Sequence, residues 1–345
     1  MAKLRFVDHS EPGITRRKVR GGKWGYFTAE GVRITDREEI DRLNRIALPP
    51  AYENCWFCPD PSGHLLAIGF DARGRKQYRY HPDWREEREA MKFDLCAQFG
   101  RQLPKLRKRV SEDLASRKLT RERAIASVVA LLDTGAIRVG NEQYAKENKS
   151  FGATTLRNRH AKIERGTLRL RFRGKSGKMH DIDCDDPKLV RCVRKMQDLP
   201  GQHLFQYIDE DGAPTPVHSQ DVNDYLHEIM GDAFTAKHFR TWTASSYAFG
   251  RLFEEPTISL KALMTEVSER LGNTPSIARK SYVHPAVVAA SKGGPDAPAM
   301  PKTLPRGTQW LSREERGLID FLESLAGTPS EAQLAKAAVL ASVEP

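Results

Sequence analysis

The feature that most restricts this chain is a change of apolar period near residue 86. Before it, the runs KWGYFTAEGVRIT, CWFCPDPSGHLLAIGF and DARGRKQYRYHP alternate over strand lengths and are broken by the turn signals PDPSG and DARG. Such segments predict a small antiparallel sheet. After it, apolar residues recur at helical spacing: Ile125, Val128, Leu132, Ala136 and Val139, then Val222, Leu226, Ile229 and Met230 behind Ser219, then Leu260, Leu263, Val267 and Leu271 before Gly272. A chain of 345 residues is too long for one small core, so the change of period marks a domain boundary. The fold class is α+β, with a β-rich N-terminal domain over 1–88, a mainly α-helical domain over 89–285, and a linker with a C-terminal helical tail over 286–345.

One hairpin interrupts the helices. In TLRLRFRGKSGKMHDID, Leu168, Leu170 and Phe172 alternate with Arg169, Arg171 and Arg173, and a Gly-Lys-Ser-Gly turn returns the chain toward His180 and Ile182. Period two puts the apolar side chains on one face and the arginines on the other. The GKS in the turn is not a phosphate-binding P-loop, because Arg169 stands where the leading glycine belongs and no strand-to-helix change follows. ATP use is therefore not indicated. After residue 285 the Ala/Pro/Gly-rich KGGPDAPAMPKTLPRG reads as a linker, with two short helices expected around 312–325 and 330–342.

The formal charge of +11 is concentrated in the middle of the chain, where residues 91–285 hold 33 Lys and Arg against 24 Asp and Glu. A basic central block suggests a polyanion, nucleic acid before a membrane surface. No stretch approaches the ~20 apolar residues of a membrane span. Five cysteines, spaced unlike a disulfide framework, point to a reducing, cytosolic setting. CWFC, with Cys55 and Cys58, would be half of a zinc site only if a second tight pair existed, and Cys184 with Cys192 is a poor one. Two thiols near a strand are the expectation, and no metal site.

Five features need a joint explanation: Arg138 at the end of a helix, Lys175 in the hairpin tip, Arg240 in AKHFRTWTASS, Asn273 just past Gly272, and Tyr282 behind an Arg-Lys pair. Singly each has a bland reading, since arginines cap helices, hairpin lysines solvate turns, asparagines end helices and tyrosines pack. Their order and local settings raise the functional one. IRVGNEQY (137–144), FRGKSGK (172–178), KHFRTW (237–242), LGNTPSIARKSY (271–282) and, in the first domain, GFDARGRKQYRYHP (69–82) together resemble the type IB DNA topoisomerases, especially the poxvirus-like and bacterial branch. The resemblance runs from about residue 15 to 285.

It implies a catalytic domain of the topoisomerase IB/tyrosine recombinase type and a two-domain clamp around double-stranded DNA. Tyr282 would be the nucleophile, forming a 3′-phosphotyrosyl link. Arg138 and Arg240 would hold the nonbridging phosphate oxygens with forked donors. Lys175 would be the general acid for the departing 5′-oxygen, with Lys237 assisting. Asn273 stands where the commoner family pattern has histidine, and its amide can still donate a hydrogen bond. Exchange of one phosphodiester for another needs no ATP, and a divalent metal should be dispensable because cations supply its electrostatic role.

For binding, alternation places Lys76, Tyr78 and Tyr80 on one strand face and Gln77 and Arg79 on the other. The resemblance implies that Gln77, Tyr78 and Tyr80, beside Lys76, reach DNA in the major groove and that Tyr144 touches the backbone. A monomer in the bacterial cytoplasm, associated with the nucleoid, is expected. Two rivals use the same residues. A tyrosine recombinase shares the chemistry, but usually has histidine where this chain has Lys237 and a helical N-terminal domain. A catalytically degenerate DNA-binding protein is favoured only by Asn273.

Overall fold

The computed structural model describes residues 4–72 and 74–326, so the helix expected at 330–342 lies outside the described residues. The chain divides into two compact units, Met1–Ala90 and Met91–Pro345.

The first unit is built on an antiparallel sheet of β1 (Ile14–Lys18), β2 (Trp24–Phe27), β3 (Glu53–Phe57), β4 (Leu65–Phe70) and β5 (Lys76–Tyr80), in the order β2-β1-β3-β4-β5. PDPSG makes the turn before β4, and Asp71 accepts from the Gly74 amide at 2.8 Å in the turn after it, where the alternation pattern places them. Ile14, Tyr26, Leu48, Cys55, Phe57 and Ala67 form a core that Leu43 of α1 (Arg37–Arg45) completes. That helix was not anticipated, although its signals are present: Asp36 caps the Glu38 amide, acids occupy the first turn and arginines the last. Cys55 and Cys58 are buried thiols at the end of β3, and the Sγ of Cys55 accepts a hydrogen bond from Arg16.

Helix α2 (Pro82–Asp94) leads to the second unit, which is mainly helical: α3 (Cys96–Ala115), α4 (Arg121–Gly135), α5 (Glu142–Asn148), α6 (Pro187–Gln197), α7 (Ser219–Met230), α8 (His238–Glu254), α9 (Leu260–Leu271), α10 (Pro275–Ser281), α11 (Pro285–Lys292) and α12 (Arg313–Ala326). Helices α4 and α8 are buried on nearly every side, and α4 packs against α3, α6, α7 and α8. The expected hairpin is present and gains a third strand, giving the sheet β6-β7-β8 from β6 (Ala161–Glu164), β7 (Thr167–Arg173) and β8 (Met179–Cys184). Leu168, Leu170 and Phe172 are buried and Arg169, Arg171 and Arg173 exposed, as period two requires. A short pair, β9 (Gln206–Ile208) and β10 (Pro214–Pro216), was not anticipated.

Beyond residue 285 the chain contributes to this core. Val287 and Val288 of α11 are buried, as are Leu318, Ile319, Phe321 and Leu322 of α12, which packs on α3 and α8. Glu315 anchors α12 by accepting hydrogen bonds from Arg107 of α3 and the indole of Trp242 of α8. Among the described residues no helix is long and apolar enough to cross a membrane.

Candidate active site

Arg138 follows α4 but is not in it, correcting the sequence reading. The helix ends at Gly135, Ala136 takes a left-handed conformation at φ 48°, and Arg138 stands in irregular chain beyond it. That chain is fixed by pairing: Ala153 N–H donates to the Arg138 carbonyl at 2.9 Å and Thr154 N–H to the Val139 carbonyl at 2.7 Å. The close approach explains Gly152, since a Cβ there would meet the Arg138 carbonyl at 2.6 Å.

Arg240, on the first turn of α8, is 3% exposed. It donates to the carbonyls of Ala136 and, at 3.0 Å, Leu271, so it ties the ends of α4 and α9 to α8. A guanidinium has five N–H donors, so donors remain for a ligand after these two bonds. Its Cζ lies 4.7 Å from the ring centroid of Tyr282.

Tyr282 caps α10 and is half-buried, its ring resting against the core margin. Its backbone is held on both sides. Its N–H donates to Ala278 at 3.1 Å and its carbonyl accepts from Ser245 Oγ of α8 at 3.2 Å, while the neighbouring Ser281 carbonyl accepts from Lys92 Nζ at 2.6 Å. Burial pushes the phenol pKa up, but the charges and hydrogen bonds of Arg240 and Arg138 outweigh it and hold the phenol below its usual value.

Lys175 opens a tight turn at the tip of the β7-β8 hairpin, where Ser176 and Gly177 both have positive φ, and its side chain is exposed. Lys237 is the residue that caps α8. A cleft of about 350 Å³ is lined by Arg138, Tyr144, Lys175, Lys237, Arg240 and Tyr282, with Gly140, Asn141, Phe151 and Gly152. The structure therefore brings together every expected catalytic residue except Asn273. Asn273 is 6% exposed, outside the cleft lining, and neither atom of its side-chain amide has a partner among the described residues. Its main-chain carbonyl accepts from Lys178 Nζ at 2.5 Å.

The expected DNA-contacting residues of the first unit lie on β5, an edge strand whose side chains are all half-buried. Tyr78 and Tyr80 stack at 6.0 Å with Lys76 Nζ 5.5 Å from the Tyr78 ring, whereas Gln77 on the other face donates to Asp71 at 3.2 Å. Gln77 and the two tyrosines therefore do not share a face. Ser245 and His180 were not singled out from sequence, because each acts through contacts that local pattern does not encode. Among the described residues no group of three or more His, Cys, Asp or Glu is arranged to hold a metal ion.

Residues 81–290 match the family profile described as eukaryotic DNA topoisomerase I, catalytic core, and residues 23–71 match bacterial DNA topoisomerase IB, N-terminal domain. DNA topoisomerase 1B of Acanthamoeba polyphaga mimivirus is 34% identical over 290 residues, covering 80% of this chain and 86% of the viral protein. DNA topoisomerase 1B of Vaccinia virus (strain Copenhagen) is 22% identical over 266 residues, covering 74% and 83%. A solved structure of the XerH site-specific recombinase in a post-cleavage complex superposes with a TM-score of 0.33 at 14% identity over 51% of this chain and 47% of the other, too slight an overlap to bear on fold or chemistry.

Proposed function

The chain belongs to the type IB DNA topoisomerases, and from that membership we propose that it relaxes supercoiled double-stranded DNA, without ATP, by cutting one strand, letting the free end swivel and resealing the cut. The Tyr282 oxygen attacks the scissile phosphorus, its proton passing to solvent. A phosphotyrosyl bond forms to the 3′ side as the bond from phosphorus to the 5′-oxygen breaks, and that oxygen leaves as a hydroxyl with a proton from Lys175. Religation is the reverse. One phosphodiester is exchanged for another, so bond energy is retained.

Arg138 and Arg240 hold the nonbridging oxygens as charge develops on them, and Lys237 assists. Asn273 supplies a neutral donor, and the orphaned state of its amide supports that assignment, since a buried amide without a partner gains most from one that arrives. Because guanidinium and ammonium groups surround the phosphate, the chemistry needs no divalent metal. Lys76, Gln77, Tyr78 and Tyr80 of the first unit and Tyr144 of the second meet the duplex, the tyrosine hydroxyls at phosphate and Gln77 at a base edge. The enzyme acts as a monomer on DNA in the bacterial cytoplasm; the match to a bacterial N-terminal domain supports that setting.

The observation that carries this reading is the convergence of Arg138, Lys175, Lys237 and Arg240 on one cleft with Tyr282, whose phenol is depressed by the two arginines. The test is negatively supercoiled plasmid in EDTA without ATP, with part of each reaction stopped in SDS. The wild type relaxes the plasmid and leaves protein on the 3′ end of a nick, while Tyr282→Phe binds and does neither. Binding by both without nicking by either removes the cleavage mechanism.

A further inference from the structure

His180 lies on β8 as the register partner of Phe172 and stacks on it, with ring centroids 5.0 Å apart and planes 10° from parallel. Two glycines leave room for the ring. A Cβ on Gly174 would stand 2.6 Å from His180 Nε2, and a Cβ on Gly272 would stand 2.5 Å from Cε1. Gly272 ends α9 in a left-handed conformation at φ 61°, which by itself favours glycine. Gly174 is different. At φ −92° its backbone would accept any residue, so the imidazole beside it is what a side chain there would displace.

The ring thus fills the gap between the residue preceding Lys175 and the residue preceding Asn273. Lys178 spans the same gap with its bond to the Asn273 carbonyl, a second tether between hairpin tip and the turn after α9. We infer that His180 is a positioning residue for the reaction: it sets the place of Lys175 against the Asn273 turn, so that the lysine meets the departing 5′-oxygen. The inference rests on Lys175 being the general acid. His180 is suited to the role because it adds no charge at neutral pH. Burial, then the nearby charges of Arg240, Arg138 and Lys178, depress its pKa to about 4.

The test compares single-turnover cleavage of two otherwise identical DNA duplexes, one with an ordinary scissile phosphodiester and one with sulfur replacing the bridging 5′-oxygen. A thiol is many orders of magnitude more acidic than an alcohol, a cysteine side chain titrating at about 8.5, so the sulfur leaves as the thiolate without a proton donor. His180→Ala should cut the ordinary duplex about 10- to 100-fold more slowly, the scale of a misplaced catalytic group, and the sulfur duplex at nearly the wild-type rate, with DNA affinity unchanged. A loss caused by general damage to the site would be equal on both. Lys175→Ala is the control. If the sulfur duplex does not rescue it, Lys175 is not the acid and the inference falls with that reading; if it rescues Lys175→Ala but not His180→Ala, the inference alone falls.

Gly174→Ala supplies an independent arm that does not remove the ring. It should slow the ordinary duplex in the wild-type background and add nothing in the His180→Ala background, because the group it displaces is already gone. Full additivity of the two losses would overturn the inference.

Discussion

Arg107 of α3 and Arg240 of α8 are both withdrawn from solvent, and their surroundings are electrostatic opposites. Arg107 makes paired hydrogen bonds to Asp133 at 2.7 and 2.9 Å and to Glu315 at 2.8 and 2.7 Å. Burial works against its charge, but the two carboxylates more than reverse that and push its pKa above the ordinary arginine value. Arg240 donates to main-chain carbonyls and faces the ring and phenol of Tyr282. Burial lowers its pKa, the phenol offsets part of this, and the repulsion of Arg138 adds to it. A buried cation without a carboxylate is costly to maintain. The contrast teaches that charge compensation separates an arginine that holds the fold from one that, on the proposed mechanism, stays ready for a phosphate.

The sharpest way to break that contrast is to remove each arginine. Arg240→Ala should slow single-turnover cleavage about 100- to 1000-fold, the cost of one preorganised donor to a developing oxyanion. It leaves two carbonyls short of a donor, which costs about 1–2 kcal/mol of stability. Arg107→Ala should do the reverse. It strands two carboxylates that keep some contact with water, costing about 2–3 kcal/mol, while molecules that remain folded cut at close to the wild-type rate. Thermal unfolding and cleavage kinetics, both run well below the lower midpoint, decide the matter. Equal loss of cleavage in the two variants would end the distinction.

Local pattern carried much of this molecule and could not carry the contrast between the arginines. Alternation placed four of the five strands of the first unit, and short motifs named six residues that share one cleft, Tyr144 among them. In RQLPKLRKRV, however, Arg107 looks like one more cation on a solvated helix face, and Glu315 in SREERG looks like a solvated tail acid. Their pairing spans more than two hundred positions, and no periodicity records it. The same holds for Asn273, whose type was legible but whose buried, unpartnered amide depends on the turn after α9. Arg138 was placed in a helix because Val139 continues the apolar spacing, whereas the left-handed Ala136 ends it.

Two tyrosines repeat the comparison with the sign reversed. Tyr225 of α7 is buried and donates to Asp113 at 2.7 Å; burial, then the hydrogen bond and charge of that carboxylate, drive its pKa upward. Tyr282 is also largely withdrawn from solvent, but its partners are cations and its pKa falls. Removing one of those cations should move Tyr282 toward Tyr225. Arg138→Gln is expected to shift the phenol titration to higher pH, read as the ultraviolet difference between each protein and its Tyr282→Phe counterpart. The alkaline rise in cleavage rate should move with it, leaving the variant about tenfold slower near neutral pH than the loss of the clamp alone, at 1.36 kcal/mol per pKa unit, would give. An unmoved titration would mean that Arg240, not Arg138, holds the phenol down.

The smallest effect concerns the carboxylate that makes Arg107 structural. Burial raises the pKa of Glu315, but Arg107, the Ser312 amide and the Trp242 indole lower it further, so the folded protein holds that proton less tightly than the unfolded chain. Its contribution to stability is therefore complete above the ordinary glutamate value of 4.5 and is lost as pH falls through the lower folded value. Glu315→Gln keeps the shape and cannot titrate. It should lower stability by about 1 kcal/mol at neutral pH, with the gap to wild type closing in acid. Trp242 lies in contact with the substituted group, so its fluorescence follows unfolding across the series. The absence of a gap at neutral pH would mean that the carboxylate serves by shape alone. Charge compensation would then no longer distinguish Arg107 from Arg240, and the readiness of Arg240 for phosphate would rest on its position beside Tyr282.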